Sequence, residues 1–422
     1  MTRRLLMLAF QFPPHDQSTG AQRTLSFVRH LPASDWSPIV ITARESAYPQ
    51  TDPATLKTIP SGTNVIRAFA FDVARTLSLR GIYPQALATP DRWNSWIFGS
   101  VAAGLRAVRE YQPAAIWATF PIPSAIAAAL LLRRLTGLPL IGDLRDPMLY
   151  ETWPDTRWQR RVYGRLERSL VRAASAIVVT TPGARRLYCE RYPQHDEKFH
   201  TIANGMEPDE SAASTSTTTD AATITLLHSG LMEQPDRDPT AFFAALRLLA
   251  DQNRLPPQLQ VLLRASGKET QYAQAVQAQK LSHVVKILPR TPRAEAMTEM
   301  KSATALLLFQ GKHCNRQIPA KAYEYLFFGK PIVGLMDPGG DTHALVHRDW
   351  GVPYCADMED PPAIARALEQ FFDDHRRNSA YAPPAALRDN HTRRAQAARL
   401  AALMDRMLAA RGQAAASTQA SC

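Results

Sequence analysis

The residues best placed to do chemistry lie in one short stretch, Ile318-Pro-Ala-Lys-Ala-Tyr-Glu-Tyr-Leu-Phe-Phe-Gly-Lys-Pro-Ile-Val-Gly-Leu335. The pattern predicts a short helix that stops at Gly329 and a buried strand from Pro331 to Leu335. A helix N-terminus beside the carboxyl end of a parallel strand is where α/β folds hold phosphates and sugars. Glu324, on that helix, is therefore a candidate ligand for a sugar hydroxyl. The same periodicity also suits a helix whose Tyr323, Leu326, Phe327 and Phe328 are core and whose Glu324 is solvated.

Two further groupings carry chemistry. Asp143-Leu-Arg-Asp-Pro147 follows a strand end and sets Asp143 and Asp146 around the Arg145 guanidinium. It reads either as an internal salt-bridge cluster or as a site that positions a second substrate. Arg157, Arg161, Arg165, Arg168 and Arg172 recur at helical spacing on one face, beside an apolar face of Trp158, Val162, Leu166 and Leu170. That stripe is either an ordinary solvated face or a surface for docking to an anionic bilayer. No DNA- or RNA-recognition motif accompanies the charge, so nucleic acid is not expected as a partner. The loop Pro13-Pro-His-Asp-Gln-Ser-Thr-Gly20 opens a helix and ends in a glycine that lets a ligand approach the backbone closely. It lacks the dinucleotide fingerprint, and neither Gly267-Lys268 nor Gly329-Lys330 completes a Walker sequence, which disfavours NAD and ATP chemistry.

The elements that must position these groups alternate along the chain. Buried strands are expected at Leu5 to Phe10, Ile39 to Thr42, Val65 to Phe71, Ala115 to Thr119, Leu140 to Asp143 and Ala176 to Thr180. A second set falls at Ile224 to His228, Leu259 to Leu263, Val284 to Leu288, Ala303 to Phe309 and Pro331 to Leu335. Helical patterns fill most of the intervals, as in parallel sheets with helices on both faces. Pro208 to Asp220 is polar and of low complexity, a linker or exposed loop. With 422 residues, two domains are the natural division.

The net charge of +11 is uneven: residues 1–205 hold 25 Lys and Arg against 15 Asp and Glu, the remainder 24 against 23. Such a field attracts polyanions or anionic lipid headgroups. The apolar run Pro121 to Leu132 is too short to span a bilayer. The N-terminal apolar run reads as a first buried strand rather than a signal peptide. Cys189, Cys314, Cys355 and Cys422 show no paired spacing, against a zinc site or a disulfide scaffold and in keeping with a reducing cytoplasm.

The segment PAKAYEYLFFGKPIV resembles the nucleotide-sugar segment of GT-B glycosyltransferases of family 4. The resemblance implies an α/β GT-B fold, two Rossmann-like doubly wound domains facing a central cleft. Residues 1–205 would bind acceptor and residues 223–411 a nucleotide sugar, with 206–222 as linker and 412–422 as a disordered tail. Ile202-Ala-Asn-Gly205 resembles the I-x-N-G that closes the first domain.

The family glutamate grips the ribose of the donor, a role that falls to Glu324. Its first loop carries a Gly pair and an Arg, matched by Gly20 and Arg23 with Thr19 in place of one Gly. Asp143, Arg145 and Asp146 resemble the D-x-R-D-P of bacterial exopolysaccharide transferases and would position acceptor. The family places an Arg directly after a Gly to meet the donor diphosphate, and a Lys or Arg farther on. Here Leu231 follows Gly230, which leaves Arg237 as the second cation and Lys321 to supply the missing charge. Arg316 stands where the family often has a Glu that touches the donor sugar. Pro338-Gly339-Gly340-Asp341 resembles a turn whose N–H groups meet the donor, and also suits a plain strand-to-helix turn.

The activity implied is retaining transfer of a hexosyl unit from a UDP- or GDP-linked sugar to a glycan or lipid-linked acceptor, in cell-surface polysaccharide biosynthesis. It would run without metal or other cofactor, in the cytoplasm or peripherally on the inner face of its membrane. No catalytic residue is identified. A GT-B nucleotide-sugar epimerase and a non-catalytic GT-B protein that binds a nucleotide sugar or glycan are the alternatives.

Overall fold

The computed structural model describes residues 2–15, 19–76, 85–150, 153–207, 223–232 and 236–420. Most of the expected linker, 208–222, and Asp16-Gln-Ser18 of the first loop lie outside the described residues.

The strands are β1 Arg3–Leu8, β2 Trp36–Ala43, β3 Asn64–Ala68, β4 Ala115–Phe120, β5 Leu140–Leu144, β6 Ala176–Val179 and β7 Phe199–Thr201, then β8 Ile224–Ser229, β9 Leu259–Arg264, β10 Val285–Leu288, β11 Ala305–Gln310, β12 Ile332–Met336 and β13 Cys355–Ala356. Helices α1 Thr19–His30, α2 Val73–Thr76, α3 Trp96–Tyr111, α4 Pro123–Thr136, α5 Arg157–Ala173 and α6 Pro182–Arg191 fall among the first seven strands. Helices α7 Thr240–Asp251, α8 Glu269–Ala278, α9 Arg293–Ser302, α10 Ala320–Phe328, α11 Asp341–His343 and α12 Pro361–Arg376 follow, and α13 Arg393–Ala420 closes the chain.

β1–β7 make one parallel sheet in the order β3-β2-β1-β4-β5-β6-β7, and β8–β13 a second in the order β10-β9-β8-β11-β12-β13. In each, the strand order reverses beside the first strand, between β1 and β4 in one and between β8 and β11 in the other. The carboxyl ends of the strands at such a switch point open a crevice in which doubly wound sheets bind ligands. Strands covered on both faces must be apolar throughout. Leu5, Leu6, Met7 and Leu8 of β1 are all fully buried, with Leu5 and Met7 in one core cluster and Leu6 and Leu8 in another.

The chain forms two units, residues 1–204 with 393–422, and residues 205–392. The first boundary falls within the expected Ile202–Gly205 turn, at Gly205, whose φ of +68° suits glycine. The second boundary corrects the sequence reading, which carried the second domain to residue 411 and took 412–422 as a disordered tail. Instead α13 runs to Ala420 and belongs to the first unit. Ala397, Leu400, Ala401, Leu403 and Met404 are buried in the cluster of Leu5, Met7, Leu25 and Trp36. Asp405 accepts from Trp36 Nε1 at 2.8 Å and pairs with Arg3 at 2.9 Å.

Candidate functional site

The segment 318–335 folds as its pattern predicts. Pro319 precedes α10, Gly329 ends it in the left-handed region at φ +63°, and β12 follows at Ile332. Ala322, Tyr323, Tyr325 and Leu326 face the core, whereas Lys321 and Glu324 are half-buried on another side. Of the expected core residues, Phe327 and Phe328 are only half-buried. The Glu324 side chain retains 17% exposure and meets Arg293 Nη2 of α9 at 3.4 Å. A hydroxyl-bearing ligand can reach it.

Lys321 is held more closely. Its Nζ lies 3.2 Å from Nε2 of His228, the residue before the last of β8. The His228 ring is fully buried, 2.9 Å through Nδ1 from the Leu307 carbonyl and edge-on to Phe309. The same carbonyl accepts from Tyr325 OH at 3.2 Å, which ties β8, β11 and α10 together at the switch point. Gly230, at φ +130°, leaves the space that Lys321 occupies: a Cβ there would collide with Nζ and come within 2.7 Å of Cε. Burial first, then the positive charge of Arg237, lowers the Lys321 pKa to about 7, with Glu324 opposing. Burial likewise drives His228 well below the ordinary imidazole range, with Lys321 and Arg237 adding to it. Among the described residues Arg237 makes no hydrogen bond or ion pair. The structure thus gathers Gly230, Arg237, Lys321 and Glu324, four of the six donor-side residues expected. His228 joins them unforeseen.

The other two differ from expectation. The Gly339 N–H donates to Asp337 Oδ1 at 2.7 Å and the Gly340 N–H to the Asp337 carbonyl at 3.0 Å. Both donors are spent within the turn, which is the plain strand-to-helix geometry. Leu231 is exposed and packs toward Gly267, and Arg316 is exposed. Asp236 and Asp238 flank Arg237 at a spacing metal sites also use, but Asp238 Oδ1 is engaged by the first residue of α7, accepting from Thr240 N at 3.0 Å and Thr240 Oγ1 at 2.6 Å. Gln310, ending β11 at the switch point, is buried with an Oε1 that has no partner among the described residues.

In the first unit the expected acceptor-side residues divide. Arg23 and Asp143 are 3% and 0% exposed and pair at 2.8 Å. Arg23 also donates to the carbonyls of Ala203 at 2.8 Å and Ile202 at 3.1 Å, and Thr119 Oγ1 donates to Asp143 Oδ2 at 3.1 Å. Buried and saturated, this pair knits α1, β5 and the 202–204 segment together, so for these two the internal salt bridge is the structure's answer. Arg145 is different. Its Nε donates to the Phe120 carbonyl at 2.9 Å, while Nη1 and Nη2 lie over Gly20, 2.7 and 2.5 Å from where a Cβ would stand. Those two nitrogens have no hydrogen-bond partner among the described residues, beside the β1/β4 switch point. Burial lowers the Arg145 pKa and raises that of Asp146, each opposed by the other's charge.

All five stripe arginines are exposed on α5. The inward face buries Glu167, which accepts from Arg191 and Tyr192, each at 2.7 Å, and from Tyr188 at 3.3 Å. Leu130, Leu131, Val162 and Leu166 line a groove between α4 and α5 to which Arg133, Arg134 and Arg165 also contribute. Trp158 and Leu135 are exposed on these two helices. Among the described residues no helix is long and apolar enough to cross a membrane.

Residues 18–205 match the glycosyl transferase 4-like domain. No curated protein matches the sequence. Sucrose-phosphate synthase from Thermosynechococcus elongatus superposes with a TM-score of 0.64 at 13% identity, over 97% of this chain and 100% of that one. A putative UDP-N-acetylglucosamine 2-epimerase from Listeria monocytogenes gives 0.57 at 10% identity, over 95% of each chain. A co-structure of S. aureus MnaA with UDP gives 0.53 at 11%, over 94% of each. These likenesses span both sheets and establish the fold. The chain has the GT-B fold, and its residues 18–205 match the glycosyl transferase 4-like domain.

Proposed function

We propose that this protein is a retaining, metal-independent hexosyltransferase that moves a sugar from a UDP- or GDP-linked donor to a glycan or lipid-linked acceptor in cell-surface polysaccharide biosynthesis. The observation that carries the reading is the cluster of Lys321 and Arg237 at the switch point of the second sheet. Two cations crowded into a partly dry site repel each other, and a diphosphate would relieve that cost while its own leaving charge was stabilised. Glu324, one helical turn from Lys321, is then within the same ligand's reach for the ribose hydroxyls. The glycosyl transferase 4-like domain supports transfer as the reaction, and the MnaA co-structure with UDP supports the ligand class.

On the acceptor side, the guanidinium nitrogens of Arg145 that have no partner among the described residues suit an anionic group. The exposed arginines of α5, with Trp158 beside them, suit peripheral contact with an anionic membrane on its cytoplasmic face, where a lipid-linked acceptor would be met. An epimerase reading draws on the fold likeness to UDP-N-acetylglucosamine 2-epimerases. Incubation with UDP- and GDP-sugars, with and without a lipid or glycan acceptor, separates the readings. Acceptor-dependent release of nucleotide supports transfer, an epimerised sugar without acceptor supports the epimerase, and binding without either product supports a non-catalytic protein.

A further inference from the structure

His228 belongs to none of the expected roles, yet it sits under the cation on which the donor site depends. A backbone carbonyl has no proton to give, so the 2.9 Å contact with Leu307 O requires the proton on Nδ1. That leaves Nε2 with a bare lone pair. Nε2 therefore accepts, and the 3.2 Å contact with Lys321 is an N–H of the lysine donated to a neutral ring. Among the described residues this is the only hydrogen bond the Lys321 side chain makes. A lysine has rotatable bonds enough to leave such a site, and its partner fixes it over Gly230 without neutralising it. A carboxylate in the same place would hold it as well but would cancel the charge an anionic ligand needs.

We propose that His228 is a positioning residue for the donor diphosphate: a buried imidazole, fixed in one tautomer by Leu307, that holds Lys321 across Gly230 with its remaining N–H donors unspent. This rests on the reading of the second unit as a diphosphate-binding domain. The groups that face Lys321 are His228 from β8, Arg237 from the loop before α7, and Glu324 from α10 itself. Burial keeps the ring uncharged, so it remains an acceptor across the neutral pH range.

Two substitutions separate the ring's two bonds. His228→Asn keeps a donor for Leu307 and loses the acceptor for Lys321, whereas His228→Gln reaches Lys321 with Oε1. The probes are inorganic pyrophosphate, UDP and uridine in calorimetric titration, with the pH midpoint of Lys321 acylation, followed by peptide mass spectrometry, as a readout that needs no ligand. His228→Asn should weaken pyrophosphate and UDP about tenfold and leave uridine unchanged. Its lysine, released into water, should react with a midpoint raised by about one unit or more from its value near 7. His228→Gln should restore both within about threefold. An unchanged midpoint and unchanged pyrophosphate affinity in His228→Asn overturn the proposal, as does failure of His228→Gln to restore either while it remains folded. If His228→Asn does not fold, His228→Gln decides alone: retained affinity and midpoint support the proposal and their loss overturns it. If the wild type binds no pyrophosphate but the midpoint moves, His228 still positions Lys321 and the diphosphate reading alone falls.

Discussion

The end of Lys321 occupies the volume that a side chain on Gly230 would need. A methyl group at that position therefore acts on the lysine first, because its tip is the part free to give way, and on the backbone second, through the strain of φ +130°. Gly230→Ala should cost about 1 to 3 kcal/mol of stability from that strain, read by denaturant titration. It should also abolish measurable pyrophosphate binding. Wild-type affinity in a folded Gly230→Ala protein would falsify the placement of Lys321 in the donor site.

The lowered Lys321 pKa has two signed consequences. Between about 7 and its ordinary value near 10.5 the unfolded chain holds a proton that the folded chain lacks, so this group makes stability rise with pH across that window. Lys321→Met should flatten that rise. An anion bound beside Lys321 raises its pKa again, so, apart from the protons that pyrophosphate itself gives up on binding, Lys321 should take up part of a proton at pH 8 and almost none at pH 6. Titrations in buffers of different ionisation enthalpy measure the uptake, which Lys321→Met should remove.

Among the described residues the Glu324 side chain makes one long contact, with Arg293, on the rim of α10. Glu324→Ala should weaken UDP or GDP binding by about 1.5 to 3 kcal/mol through loss of charge-assisted bonds to the ribose, while leaving the melting temperature nearly unchanged. Pyrophosphate, which has no ribose, should bind as before. Equal loss for both probes would assign the residue to the phosphates instead.

Asp143 and Arg145, two positions apart, should respond in opposite ways. Asp143→Ala leaves the Arg23 charge buried without compensation and should cost about 3 to 5 kcal/mol of stability. Arg145→Ala removes a guanidinium whose two terminal nitrogens have no partner among the described residues, and should lower transfer to an acceptor more than it lowers stability. Chemical denaturation and a turnover assay on both variants test the split.

The α5 stripe predicts salt-sensitive binding to anionic vesicles, because attraction between exposed charges fades beyond roughly 8 Å at physiological ionic strength. Replacing Arg161, Arg165 and Arg168 with Glu should release the protein and leave UDP binding unaltered. Vesicle binding that survives the triple change would make the stripe an ordinary solvated face.

Local pattern foretold what local pattern governs. Gly329 ends α10 and β12 follows because a left-handed cap and an apolar run are written in consecutive residues, and the same is true of both sets of alternating strands. His228 was hidden because its partner lies 93 residues away and its own surroundings read only as a strand. The available signal was a polar ring in a buried run directly before Ser229-Gly230. Arg23 and Asp143, 120 residues apart, were each noticed, but only the fold reveals that they satisfy each other. The short strands β7 and β13 are too brief to give a period. Helix α13 carries its stripe at Ala397, Leu400, Ala401 and Met404, yet a stripe does not say which sheet will cover it.

Because α13 completes the core of the first unit, that unit is built from two pieces of chain separated by all of residues 205–392. At roughly 5 to 20 residues per second, translation of residues 205–392 keeps the finished first piece waiting about ten to forty seconds for the helix that covers Trp36. The second unit, contiguous in the chain, is synthesised during that interval. The first unit is thus begun first yet cannot close its core until all of the second has been made, and its uncovered face stays exposed until then. Anyone who exchanges the first unit between such proteins must transplant residues 393–420 together with 1–204, since a cut at the Ile202–Gly205 turn alone would strand the face of Leu5, Met7 and Trp36 in water.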